Sequence, residues 1–398
     1  MKNFSDRVLN MQYSPIRKLV PLIDKAKKEG VTVYELHIGQ PDVKTPDTFF
    51  EGLNNFKEKI VKYANSAGIL ELRESFSKSY EKSEIDITPD EMLITHGGSE
   101  AIQITLQTIC NPGDEVLVPE PFYTNYNGFA SAVNVTVDGI TTKAEEGFHL
   151  PKKEDLVKKI KPNTKSIILS NPGNPTGVVY TKDELKMLVD ICIEHNLFIL
   201  ADEVYREFVY DGLEYISLGN FKEAEDRVII IDSVSKRYSA CGARIGSIAS
   251  KNKDLIQEIL KLCQGRLCVP TIEQIGAIEL YKTPTDYFKE VNEEYTKRRD
   301  IVYGALQKMG GVICKEPKGA FYVSVKFPVD NAEKFIIWCL EEFDYNGETL
   351  MMAPLEGFYS TPGIGEDEAR IAYILNTDEL QKAMTVLDKA LQAYPGRK

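Results

Sequence analysis

Short apolar runs at 92–95, 115–118, 167–170, 197–201, 228–232 and 245–249 alternate with longer stretches whose apolar residues recur every three or four positions. Runs this short and this largely apolar describe strands covered on both faces. With helical stretches between them, they predict a mostly parallel sheet carrying helices on both sides. The helices expected there include 99–109 and 182–194. The second opens on Thr181 with Glu184 following, the reciprocal capping pair that satisfies free N–H groups at a helix start. From about residue 283 the pattern turns to long charged helices, an alternating strand at 320–325, and helices at 331–343 and 377–393. That second pattern predicts a smaller α+β domain.

A chain of 398 residues is long enough for two domains, since single cores stop growing near roughly 250–300 residues. Sixty acidic residues against 48 basic ones leave a net charge of -12. Such a balance argues against nucleic acid as a partner, because phosphate backbones are held by an excess of Lys and Arg. Seven cysteines without a C-x-x-C pair suggest neither a disulfide framework nor a redox motif, and point to a cytoplasmic location. No apolar stretch approaches a signal-peptide core or the ~20 residues of a membrane span, so no membrane partner is expected. His37, His96, His149 and His195 lack metal-ligand spacing, and no metal is expected.

The strongest chemical signal is Ser233-Val234-Ser235-Lys236, followed by Gly242-Ala243-Arg244. A lysine amine attacks a carbonyl only when partly deprotonated, which a poorly solvated, electropositive pocket promotes. A hydroxyl at Ser233 and a guanidinium at Arg244 supply the fixed donors that a phosphate ester requires. Together they suit pyridoxal phosphate carried covalently on Lys236. Gly97-Gly98-Ser99-Glu100 follows a predicted strand and opens a helix, where free N–H groups and the helix dipole hold anions. Asp202 ends the apolar run 197–201; there a buried carboxylate can keep the cofactor's ring nitrogen protonated. The same run also reads as the magnesium-binding strand of a nucleotide hydrolase. That reading requires a Gly-Lys phosphate loop, and the chain has no Gly-Lys dipeptide.

Further strings fall in a fixed order: Tyr63-Ala64-Asn65, Pro121-Phe122-Tyr123, Asn171-Pro172-Gly173-Asn174-Pro175, Ala201-Asp202-Glu203-Val204-Tyr205 and Arg370-Ile371-Ala372-Tyr373. From about Ile38 to Tyr373 the set resembles the class I/II aminotransferases, pyridoxal-phosphate enzymes of fold type I, most nearly bacterial aspartate aminotransferases. The resemblance implies an α/β large domain at 46–282, and a smaller α+β domain built from 1–45 together with 283–398. It implies that Lys236 is catalytic, and that Gly98, Ser99, Glu100, Ser233 and Arg244 hold the phosphate. Tyr63 is expected to reach the phosphate of the neighbouring subunit, so a homodimer with shared sites follows. Tyr123 is expected to stack on the ring, Asn174 and Tyr205 to bond its phenolic oxygen, and Asp202 to face its nitrogen. Arg370, with the Gly39 backbone, is expected to bind the substrate α-carboxylate, with Tyr123 and Asn174 beside it.

The implied reaction moves the amino group of an L-amino acid, with aspartate the leading donor, to a 2-oxo acid such as 2-oxoglutarate. Ser99 stands where many bacterial aspartate-specific relatives carry a lysine, and Arg266 is the expected substitute for that cation. Aromatic or small neutral donors, or a C–S lyase using the same cofactor machinery, remain alternatives.

Overall fold

The structure, a computed structural model, describes residues 4–398; residues 1–3 of the expected small domain lie outside the described residues. Strand β1 (Thr32–Glu35) precedes the strands of the central sheet. These are β2 (Met92–Thr95), β3 (Glu115–Glu120), β4 (Thr136–Thr141), β5 (Thr164–Ser170), β6 (Phe198–Asp202), β7 (Val228–Ser233) and β8 (Gly246–Ala249). They form a seven-stranded sheet in the order β2-β8-β7-β6-β5-β3-β4. All neighbouring pairs are parallel except those that β8 makes with β2 and β7.

Side chains alternate between the two faces as the period of a strand requires. Ile167, Leu169, Ile199, Ala201 and Ile230 join one buried cluster, while Ile168, Leu200, Ile229 and Ile231 join another. Both faces are therefore covered, which is why these runs read as continuously apolar. β8 is antiparallel because the segment joining it to β7 contains only short helical turns, not the crossover element that parallel pairing needs. Both ends of that segment consequently lie at the carboxyl end of β7, where Ser233 faces Gly246.

The helix expected at 182–194 has those bounds, and its capping pair forms: the Thr181 hydroxyl accepts from the Glu184 N–H at 3.2 Å, and the Glu184 carboxylate accepts from the Thr181 N–H at 2.8 Å. The helix expected at 99–109 begins earlier, at Gly97. The one expected at 331–343 spans Ala332–Glu341, with the Asn331 side chain capping it through the Lys334 N–H.

The remaining strands are β9 (Tyr322–Lys326), β10 (Glu348–Met351), β11 (Ala353–Pro354) and β12 (Glu368–Ala372). β11, β12 and β9 form an antiparallel sheet, and β1 pairs in parallel with β10. Leu19, Ile23 and Leu36 from the N-terminal segment bury in the same cluster as Val325, Phe335 and Leu387. Among the described residues no helix is long and apolar enough to cross a membrane, and all seven cysteines are free.

Candidate active site

The carboxyl ends of the parallel strands converge on one cavity of about 680 Å³, as ligand sites do in open α/β sheets. Gly98 and Ser99 follow β2, Tyr123 follows β3, and Asn174 follows β5; Asp202 ends β6, and Ser233 ends β7 just before Lys236. Gly39, Tyr205, Arg244 and Arg370 complete this part of the lining.

Ser233 caps the single helical turn Val234–Arg237, its hydroxyl accepting from the Ser235 N–H at 3.1 Å and donating to the Ile245 carbonyl at 3.0 Å. The turn sends successive side chains in opposite directions. Lys236 Nζ enters the cavity, donating to the Gly39 carbonyl at 2.6 Å and lying 4.0 Å from Cys241 Sγ. Arg237 turns away and is buried in an ion pair with Asp232, whose other oxygen lies 3.4 Å from Arg206. Removing one partner of such a buried pair strands the other, so this cluster pins the lysine turn from below.

Arg244 has a left-handed backbone (φ 55°) and donates to the His96 carbonyl at 3.1 Å and the Cys241 carbonyl at 3.0 Å. Its guanidinium lies against Gly97, itself at φ 72°; a Cβ there would sit 2.6 Å from Arg244 Nη2. Glycine is therefore required at 97 on both counts. Glu100 turns its carboxylate back onto the His96 N–H at 2.8 Å and Arg266 Nε at 3.1 Å, which removes an acidic side chain from the helix start.

Asp202 is 5% exposed. Its Oδ2 accepts from the Tyr126 hydroxyl at 2.5 Å, while Oδ1 has no partner. Burial raises its pKa to about 6, against the opposing hydrogen bonds from Tyr126 and the Val204 N–H. Tyr123 lines the cavity with its hydroxyl accepting from Asn125 at 2.7 Å. Its ring stands edge-on to Tyr126, 5.5 Å between centroids.

Arg370 is buried on β12, donating to Asn174 Oδ1 at 3.0 Å and the His37 carbonyl at 2.5 Å. Its guanidinium lies 4.5 Å from the Tyr322 ring centroid, a cation–π contact. The Tyr322 hydroxyl is 2.8 Å from that of Tyr205 and occupies the space beside Gly39, where a Cβ would approach it to 1.8 Å. His37, buried near Arg370, has its pKa lowered to about 4, chiefly by burial, and so stays uncharged beside the guanidinium.

Three expected residues do not line this cavity. Tyr63 is 79% exposed on a loop, while Glu100 and Arg266 engage each other, Arg266 also donating to the Ile94 carbonyl at 2.7 Å. Sequence reasoning gave no role to Tyr126, Tyr322, His37 or Arg17, although Tyr126 lies three residues after Tyr123 and Tyr322 in the alternating strand. The lining carries Arg17, Lys236, Arg244 and Arg370 against the single carboxylate of Asp202. In a chain of net charge -12 this is a concentrated positive site, which attracts anionic ligands.

These residues fit pyridoxal phosphate. The helix start at Gly98, Arg244 and Ser233 border the cavity as groups suited to an anion, an amine stands at Lys236, and Asp202 has a buried carboxylate oxygen without a partner. Residues 32–387 match the family described as aminotransferase class I and II. The chain belongs to that family. It is a pyridoxal-phosphate-dependent aminotransferase of fold type I. The aspartate aminotransferase of Pyrococcus horikoshii is 32% identical over 98% of this chain and 97% of its own length. An aromatic-amino-acid aminotransferase of Thermococcus litoralis is 31% identical over 98% of each chain. The solved structure of an alanine aminotransferase from Pyrococcus furiosus superposes with a TM-score of 0.90 at 31% identity, covering 98% of this chain and all of that one.

Proposed function

We propose that this aminotransferase takes aspartate as donor and a 2-oxo acid such as 2-oxoglutarate as acceptor, in a homodimer with shared sites. The observation that carries the donor assignment is the surplus of cations in the cavity, three of them arginines. A phosphate ester and one α-carboxylate occupy two of these, and a dicarboxylic substrate gives the third a partner. Ser99 and the alanine aminotransferase neighbour favour a second reading, a small neutral donor.

When bound, the cofactor supplies the carbonyl that condenses with the donor and the ring that accepts the Cα electrons. Lys236 is the residue that would carry it and, once freed, take the proton from the donor Cα and return it elsewhere. Asp202 would hold negative charge beside the ring nitrogen. Arg244, Ser233 and the N–H groups at Gly98 and Ser99 would hold the phosphate, whereas Glu100, expected beside them, stays outside the cavity. Tyr205 and Asn174 would supply hydrogen bonds to the phenolic oxygen, and Tyr123 would pack against the ring. Arg370, with Asn174 and Gly39 beside it, grips the α-carboxylate as a bidentate pair and fixes the Cα–H direction relative to Lys236.

Tyr63 is assigned to the phosphate of a partner subunit. Its exposure, with Ile60, Val61 and Leu267 also exposed, supports an apolar face that a second copy would cover. We assign 46–282 to the large domain and 1–45 with 283–398 to the small one, which the shared burial of N- and C-terminal residues supports. Seven free cysteines suit a reducing cytoplasm.

A donor and acceptor screen on purified protein tests the reaction. Oxaloacetate from aspartate with stoichiometric glutamate from 2-oxoglutarate is expected. Release of ammonia with pyruvate and thiol from a sulfur amino acid would mark a lyase instead.

A further inference from the structure

We propose that Arg17, not Arg266, binds the side-chain carboxylate of an acidic donor. The inference rests on the aspartate reading above and deepens it. Of the cavity's three arginines, Arg244 is tied to the phosphate end through Gly97 and His96. Arg370 is held beside Asn174 and His37. Arg17 alone is left for a third anion.

Arg17 opens a 3₁₀ turn whose Leu19 is buried in the core, and its backbone N–H is held by the Ser14 hydroxyl at 3.3 Å. The chain on either side is thus anchored while the Arg17 side chain stays exposed at the cavity. Ser14, Ile16 and Val20 of the same segment also line the cavity, and the one lining carboxylate, Asp202, belongs to another element. Lys18 next to it is committed to Glu333 at 2.6 Å. Among the described residues no carboxylate comes within ion-pair distance of the Arg17 guanidinium.

Arg266 is in the opposite condition. Its guanidinium is largely buried between the Glu100 carboxylate and the Ile94 carbonyl. Recruiting it for substrate would leave Glu100 without a countercharge, with only the His96 N–H beside it, which a largely buried pair resists. An aspartate side chain meeting Arg17 breaks no existing ion pair, and the apolar wall beside it strengthens the charge pair relative to open water. A neutral donor has no group to offer Arg17, so the preference between donors should travel with this residue.

The test uses the dimeric, cofactor-loaded enzyme and reads the ratio of kcat/KM for aspartate over alanine in wild type, Arg17→Gln, Arg17→Lys and Arg266→Gln. Inhibition constants for succinate and propionate give a second readout that requires no turnover. Arg17→Gln should lower the ratio about 10- to 100-fold and weaken succinate by a similar factor relative to propionate, with Arg17→Lys recovering part of both. Wild-type preference for aspartate with an undiminished ratio in Arg17→Gln overturns the assignment to Arg17, as does a selective loss found only in Arg266→Gln. A wild-type enzyme that neither uses aspartate nor discriminates succinate from propionate overturns the donor reading itself. Arg17→Gln melting at the wild-type temperature shows that a changed ratio reports recognition.

Discussion

Asp202→Asn removes the one carboxylate that lines the cavity, and its consequences for stability and activity have opposite signs. Burial holds the Asp202 pKa at about 6, against an ordinary 3.8. At about 1.4 kcal/mol per pH unit, this difference is a penalty of about 3 kcal/mol for keeping the charge. Because the folded-state pKa is raised, the unfolded chain releases its proton first as pH climbs. Stability therefore falls between about pH 4 and 6, and the penalty is complete above that window. Asparagine keeps an acceptor for Tyr126 but buries an N–H without a partner, which returns roughly half of the gain. A net stabilisation of about 1–2 kcal/mol remains for the cofactor-free protein at pH 8. With an unfolding entropy of about 2.1 cal/mol/K per residue over 398 residues, the melting temperature should rise by about 2 °C.

The assay is thermal unfolding of cofactor-free wild type and variant from pH 4 to pH 8, beside turnover of the loaded enzymes. The variant should be the more stable at pH 8, with its advantage vanishing near about pH 5 and reversing toward pH 4, and should lose about three orders of magnitude or more in kcat because the ring nitrogen loses its ionic partner. Loading with cofactor should stabilise wild type more than the variant. Near-wild-type turnover, or a stability difference independent of pH, would refute the reasoning: Asp202 would then be an ordinary structural carboxylate.

Borohydride reduction followed by peptide mapping should place the pyridoxyl group on Lys236; Lys236→Ala should abolish turnover while the phosphate cradle still binds cofactor, and an adduct on another lysine would sink the assignment. Mixing Lys236→Ala subunits with Tyr63→Phe subunits should regenerate one intact site per mixed dimer, visible as a return of near-normal cofactor affinity; a strictly monomeric active species in sedimentation contradicts this. Arg237→Leu should strand buried Asp232, destabilise the protein by about 3–5 kcal/mol, and loosen the lysine turn, read as a lower melting temperature. An unshifted melting curve would show that Arg206 alone neutralises Asp232.

What could be read in advance follows from which interactions are local. Strands β5, β6 and β7 announce themselves because cover on both faces makes their central positions apolar, Ile167 to Leu169, Ile199 to Ala201 and Ile229 to Ile231. The Thr181 cap is legible because both partners lie within one turn. Strand β4 was missed: it is an edge strand whose Thr136, Asp138 and Thr141 break the apolar run. The pairing of β1 with β10 was also missed, since it joins residues near opposite ends of the chain. Charge shows the same division. Sequence offered Arg266 as a spare cation, but whether a cation is spare depends on Glu100, which only folding brings to it. Tyr322 was legible as part of a strand, whereas its place between Arg370 and Tyr205 is a property of the assembled cavity.

The division also bears on how such a site can persist. Asp202 Oδ1, His37 Nδ1 and Arg370 Nε are all buried without a hydrogen-bond partner, and all three residues line the cavity. Each is individually unfavourable, and unfavourable groups survive only where the surrounding structure fixes them in place. The sheet does so here. Asp202 ends a strand paired on both sides, with β5 and β7, and Arg370 lies on β12 between β11 and β9. Neither can relax away from the cavity without breaking a ladder. The apolar runs that make the fold legible are therefore also what holds polar groups in a cleft where only a ligand with complementary charge can satisfy them. Binding energy at this site is set by strands whose own side chains, apart from Asp202, Ser233, Tyr322 and Arg370, never touch the cavity.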